Sequence, residues 1–227
     1  MTPRFIIGFL LFPDLLQLDL TGAYGVLASG PGAEVHLAWK DTRPVLSSDK
    51  LTLTPTVSLQ DCPDLDVLVV PGGSGIVSLL NDDEVLGFLR NKAQKARFIC
   101  SVCTGSLVLG AAGLLRGRKA ATHWLSLDLL KPFGALPQKN RIVVDGNCIT
   151  AAGVTSGIDM ALVLAGLLWG ESTAQGMQLA MQYAPDPPYA AGTPETAPQE
   201  IYAAAIVKGA TRQEERRRAV MAASMKE

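Results

Sequence analysis

The sequence predicts an α/β fold, doubly wound on both faces of a mostly parallel sheet. Three observations lead there. Short runs dominated by apolar residues recur at Phe5–Leu11, Asp66–Val70 and Phe98–Val102, each followed by a break or tight turn. Strands covered on both faces read this way. Helix-like segments lie between them, and strand–helix alternation builds parallel sheets. Finally, Phe98–Val102 passes into the Leu- and Ala-rich segment Ser106–Leu115 with only Cys103, Thr104 and Gly105 between them. So sharp a strand-to-helix turn is the pattern of a nucleophile elbow, here carrying a thiol.

The elements follow in order. Phe5–Leu11 is the first strand, and Phe12-Pro13-Asp14 breaks it. Leu15–Leu20 leads through Thr21-Gly22 into a helix ending near Ser29, where Gly30-Pro31-Gly32 stops it. Glu34–Trp39 alternates polar and apolar residues and reads as the second strand. Val45–Ser47 and Leu51–Pro55 read as a hairpin around Ser48-Asp49. Asp66–Val70 is the next buried strand, running into the glycine-rich turn Pro71–Gly75. Ile76–Leu80 and Asp83–Ala96 are expected to be helical, and the elbow strand and its helix follow, ending near Gly113. Lys119–Thr122 reads as a short strand before a helix from His123-Trp124 to Phe133. Arg141–Val144 and Asn147–Thr150 flank Asp145-Gly146 as a tight hairpin. Ala152–Trp169 and Thr173–Met181 are helices. The proline-rich stretch Tyr183–Pro198 reads as an extended arm, and Ile201–Met225 as a terminal helix. The chain thus divides into an α/β domain, residues 1–182, and an arm with its helix, residues 183–227. That helix is expected to pack on the same domain or on a dimer partner.

Composition bounds the function. A hydrophobic content of 48% argues against global disorder, and a net charge of −1 offers no nucleic-acid surface. No apolar run is long enough to span a bilayer, so no membrane association is expected. Phe5–Phe12 could pass for a signal-peptide core, but Pro13-Asp14 follows instead of a cleavage site. Cys62, Cys100, Cys103 and Cys148 are scattered, not arranged as a disulfide framework. A cytoplasmic protein is the expectation. No cluster has metal-ligand spacing, and the glycine-rich turn lacks the Lys-Ser/Thr ending of a phosphate loop.

In doubly wound sheets, ligands bind beyond the carboxyl ends of the strands. Asp19, the Gly72-Gly73 turn and Cys103 follow three such strands, so they are expected to converge. A helix N-terminus favours thiolate at Cys103, although a buried cysteine is often only packing. Cys100 and Cys103 form C-x-x-C, but Cys100 falls inside a strand, unlike redox pairs of this spacing. Asp19, set among leucines, reads either as a proton donor and acceptor of raised pKa or as a helix N-cap. The amides of Gly72, Gly73 and Thr104 are candidate donors to developing negative charge. His123 is the one plausible histidine base, whereas His36 sits within a strand.

The segments Gly8–Pro13, Leu18–Gly22, Pro71–Gly73, Ser101–Ser106 and Ala121–Trp124 carry a resemblance to the PfpI-type, or class I glutamine amidotransferase-like, superfamily. It extends over nearly the whole chain, through Gly157-Ile158-Asp159 and Tyr183-Ala184-Pro185. Within the superfamily the chain is most similar to its isocyanide-hydrating members. Many other members carry Glu at the acid position and Cys-His at the elbow, where this chain has Asp19 and Cys103-Thr104. The resemblance implies a flavodoxin-like sandwich, a homodimer, and no cofactor or metal. It also implies hydration of an isocyanide to an N-formamide. Cys103 would attack the isocyanide carbon, Asp19 would act as general acid and base, and Thr104 would hydrogen-bond the thiolate or Asp19. Two alternatives stand beside this: a thiol enzyme acting on reactive carbonyls, and an oxidation-sensing or ligand-binding domain of the kind fused to DNA-binding regulators.

Overall fold

In a computed structural model, which describes residues 4–225, the chain builds one central sheet with helices on both sides. Strand β1 (Phe5–Leu10) leads to helix α1 (Gln17–Leu27), and β2 (Ala33–Trp39) follows. The small antiparallel pair β3 (Val45–Leu46) and β4 (Thr52–Leu53) stands apart from the sheet, and β5 (Val57–Ser58) forms its edge. Next come β6 (Val67–Val70), α2 (Ile76–Leu79), α3 (Asp83–Ala93), β7 (Phe98–Val102) and α4 (Gly105–Ala111). A two-residue strand β8 (Lys119–Ala120), a 3₁₀ segment (Trp124–Phe133) and β9 (Leu136–Pro137) precede the hairpin β10 (Ile142–Asp145) and β11 (Cys148–Ala151). Helices α5 (Ser156–Trp169), α6 (Glu171–Ala180) and α7 (Gln199–Ser224) complete the chain.

The sheet order is β10-β11-β7-β6-β1-β2-β5, parallel throughout except for the β10–β11 hairpin. Strands β1, β6 and β7 lie side by side at its centre. All four residues of β6 are buried, as are Ile7, Phe9 and Leu10 of β1, so helices cover both faces. This is the doubly wound sheet expected from the sequence, and it aligns the carboxyl ends of the three strands that precede Asp19, Gly72 and Cys103.

Several boundaries differ for local reasons. The helix after Cys103 ends at Ala111, because Gly113 takes φ +75° and turns the chain out. The segment Trp124–Phe133 is wound as 3₁₀ and contains Pro132, whose ring nitrogen cannot donate to an α-helical ladder. Residues 152–155 form a turn, so α5 begins at Ser156 and not at Ala152. The strands β5 and β9 were not foreseen, since two residues show no periodicity. Asp19 is not an N-cap: it sits in the first turn of α1, inside the helix, with Leu16 at the cap.

The arm from Tyr183 is mostly exposed, and the Tyr183 hydroxyl donates to Asp159 at 2.7 Å. Helix α7 then lies against the 3₁₀ segment, α2 and α4. Gln213 Nε2 donates to the Leu125 carbonyl at 2.5 Å, and Val220 and Ala223 are buried.

Candidate active site

Three loops beyond the carboxyl edge of the sheet meet here. β7 ends at Val102, and Cys103 takes φ +55°, a left-handed conformation costly for a side-chain-bearing residue. Its peptide groups are tied on both sides. The Cys103 N–H donates to the Ala151 carbonyl at 3.0 Å, and Thr122 Oγ1 donates to the Cys103 carbonyl at 2.8 Å. Gly105 follows because nothing larger fits: a Cβ there would lie 2.1 Å from the Val70 carbonyl oxygen. The strained turn therefore presents the thiol beyond the sheet, at the start of α4.

Asp19 is fully buried beside it. Its Oδ2 accepts from the Gly72 N–H at 3.0 Å, while Oδ1 is buried with no hydrogen-bond partner among the described residues. Burial raises the Asp19 carboxyl from 3.8 to about 7, against the opposing pull of the Gly72 amide and the neighbouring Cys103 thiol. Cys103 is pushed well above the usual thiol range, first by burial and then by the Asp19 charge. The Thr104 N–H and the Arg216 charge act the other way and are outweighed. Burial thus opposes the thiolate that a helix N-terminus favours, and it raises the Asp19 carboxyl toward neutrality.

The glycine turn and Thr104 serve otherwise than expected. The Gly72 amide is engaged by Asp19, and the Gly73 amide donates to Thr104 Oγ1 at 3.2 Å. Neither stands free as a donor to an oxyanion. The Thr104 hydroxyl is bound to Gly73, not to the thiol or Asp19; what Thr104 gives the sulfur is its main-chain N–H. Gly72 is required by space, since a Cβ would lie 2.6 Å from Thr104 Oγ1 and 2.8 Å from Asp19 Oδ2.

A cavity of about 230 Å³ opens over Cys103 and Thr104. Leu16, His123 and Leu125 line it, together with Gly209, Arg212 and Arg216 of α7. His123 accepts from the Leu125 N–H through Nδ1 at 3.4 Å, and burial followed by the Arg216 charge lowers it to about 4. It is a neutral wall, and no hydrogen bond joins it to Cys103 among the described residues. His36 lies away from the site in β2 beside Glu34, 3.1 Å off. Cys100 is fully buried within β7, so the C-x-x-C spacing makes no paired redox site. Among the described residues no group of His, Cys, Asp and Glu is arranged to hold a metal.

A mostly parallel sheet with a strained cysteine turn at its carboxyl edge and a carboxyl beside the thiol defines a thiol-bearing α/β sandwich protein. The chain belongs to the DJ-1/PfpI family, which residues 6–166 match. It is 57% identical over 195 residues to an isonitrile hydratase of Pseudomonas putida, covering 86% of each chain. A crystal structure of a ThiJ/PfpI family protein from Pseudomonas syringae superimposes with a TM-score of 0.94 at 39% identity, covering 96% of this chain and 91% of that one. The HTH-type transcriptional regulator GbdR of Pseudomonas aeruginosa is 34% identical over 168 residues, which span 70% of this chain but 46% of the regulator.

Proposed function

We propose that this chain adds water to an isocyanide (isonitrile), releasing an N-formamide. The observation that carries the reading is the unpartnered Oδ1 of Asp19, buried beside the Cys103 thiol at a strained nucleophile elbow. The similarity to the Pseudomonas putida isonitrile hydratase supplies the substrate class.

The chemistry needs one nucleophile and one proton carrier. The Cys103 sulfur attacks the terminal isocyanide carbon while the thiol proton passes to Asp19. Asp19 then delivers it to that carbon, giving a thioimidate, R–N=CH–S–Cys103. Water adds to the same carbon as Asp19 relays one of its protons to the nitrogen. The tetrahedral adduct collapses to the formamide, and the departing sulfur recovers the hydroxyl proton. A carboxyl titrating at about 7 exchanges protons at neutral pH in both directions. Gly72 fixes one oxygen of Asp19 and leaves the other for transfer. Thr104 couples the elbow to the glycine turn.

A sensor role needs an accessible, low-pKa thiol, and burial raising Cys103 runs against it. The four cysteines are free, which suits a reducing compartment. A cytoplasmic homodimer is the corresponding proposal, the assembly being the one the family resemblance implies. Among the described residues no helix is long and apolar enough to cross a membrane. The test is formamide formation from an aryl isocyanide by the wild type and by Cys103→Ala. Turnover lost in the variant supports the reading, and turnover kept in it overturns the covalent step.

A further inference from the structure

Helix α7 carries a run of charges from Arg212 to Arg218 that looks like a solvated face. In the structure the run divides. Glu214 accepts from Arg217 and Arg218 on the outer side. Arg212 and Arg216, four residues apart, instead line the cavity over Cys103. Neither makes a salt bridge with an acid among the described residues. Arg216 is held by Nη1, which donates to Ser126 Oγ at 2.8 Å and Gln213 Oε1 at 3.0 Å. Its Nε is buried without an acceptor, a costly state for a guanidinium donor. Among the described residues no Asp or Glu lines the cavity: Asp19 lies beside the thiol, and Asp49 sits in the exposed loop between β3 and β4. The remaining charged candidate on the wall, His123, is neutral. Burial lowers Arg216, the neighbouring Cys103 opposes it, and the charge of Arg212 lowers it further, so an anion between the two arginines relieves their repulsion.

We infer that Arg212 and Arg216 form the recognition end of the cavity for a substrate bearing a carboxylate, so that the preferred isocyanides are isocyano acids. The inference rests on the isocyanide reading of the site. A linear N≡C group placed with its carbon at Cys103 directs its substituent away from the thiol into the cavity, whose wall includes Arg212 and Arg216. A small cavity of about 230 Å³ suits a compact substituent. Guanidinium groups pair with carboxylates through paired N–H donors, and neither Arg212 nor Arg216 is engaged by an acid among the described residues.

The experiment compares isocyanoacetate with its methyl ester, reading kcat/KM for formamide formation in the wild type, Arg212→Gln and Arg216→Gln. The wild type should favour the acid by about tenfold or more, and the ratio should fall toward one in both variants. Arg212 is exposed, so its variant keeps the test valid even if loss of the Ser126 contact unfolds Arg216→Gln. A wild-type ratio of one, or a preference untouched by Arg212→Gln and Arg216→Gln, overturns the inference while leaving the hydratase reading intact. Absence of turnover with both compounds, while the aryl isocyanide is still hydrated, overturns this inference alone; absence with all three overturns the hydratase reading, and this inference with it.

Discussion

The main-chain N–H of Gly72 donates to Oδ2 of Asp19 at 3.0 Å, between residues 53 apart in sequence. It leaves Oδ1 buried and unpartnered next to the Cys103 thiol. One oxygen is anchored and the other is free, which is the division a proton carrier needs. That division sets the behaviour of variants at both residues.

Asp19→Asn should cost on the order of a thousandfold or more in kcat/KM, because an amide cannot relay protons. The same substitution should stabilise the fold at alkaline pH. A carboxyl raised from 3.8 to about 7 contributes fully to stability below its unfolded value and loses that contribution as pH rises through 7. The loss is roughly 4 kcal/mol at most by this shift, offset in the variant by about 1–3 kcal/mol for an unsatisfied amide. Thermal melts at pH 8 should show the variant melting higher, by on the order of 5 °C, and the order should reverse toward pH 4, where the wild type regains its contribution. A variant less stable than wild type at pH 8 would contradict the burial cost assigned to Asp19.

The pH profile of kcat/KM should follow the same carboxyl. The active form carries one proton on the Asp19–Cys103 pair, with Asp19 ionised and the thiol neutral. Activity should fall tenfold per pH unit below about 7, where Asp19 is protonated, and level off above it. An acidic limb centred near 4 would mean that burial does not raise the Asp19 carboxyl in the working protein.

Gly72→Ala tests placement without removing a reacting group. The new methyl would meet Thr104 Oγ1 at 2.6 Å and Asp19 Oδ2 at 2.8 Å. Overpacking of this kind costs about 1–3 kcal/mol, and the displaced carboxyl should lower kcat more than it raises KM. Denaturant melts and steady-state kinetics together measure both effects. Wild-type kcat would show that the Gly72 amide does not set the position of Asp19.

Thr122→Val removes the hydroxyl that donates to the Cys103 carbonyl at 2.8 Å and keeps the side-chain volume. The lost hydrogen bond should destabilise the chain by about 0.5–1.5 kcal/mol, since Ser106 Oγ still donates to the carbonyl. The elbow, held at φ +55° partly by that bond, should lose activity as well. Retained activity with retained stability would assign the hold on the elbow to the Ala151 contact and to Ser106 Oγ, which donates to the same carbonyl at 3.1 Å.

Much of this architecture was legible in the sequence. Mostly apolar runs of five to seven residues marked β1, β6 and β7, and Gly105 two residues after Cys103 marked the sharp turn. Asp19 stood out as an acid among leucines. The electrostatic sign at Cys103 was not legible, because the main-chain amide of Thr104 was visible in advance but the depth of burial beside Asp19 was not. The wall formed by α7 was hidden for a different reason. Gly209, Gln213, Arg216, Val220 and Ala223 recur at intervals of four and three, an inward stripe. Their polar members and the charges between them masked that period. Two arginines four apart, with Arg217 and Arg218 placed three and four residues after Glu214 to serve it, were the signal available.

Helix α7 walls a cavity whose reacting groups precede it by a long stretch of chain. On the ribosome, the central strands and the Cys103 turn emerge well before Gly209, Arg212 and Arg216. Until α7 docks, the thiol meets bulk solvent on that side, and the desolvation that tunes it is incomplete. Maturation of the catalyst is therefore a late event in biogenesis. A nascent chain carries its nucleophile early and becomes a finished enzyme only when its closing helix arrives.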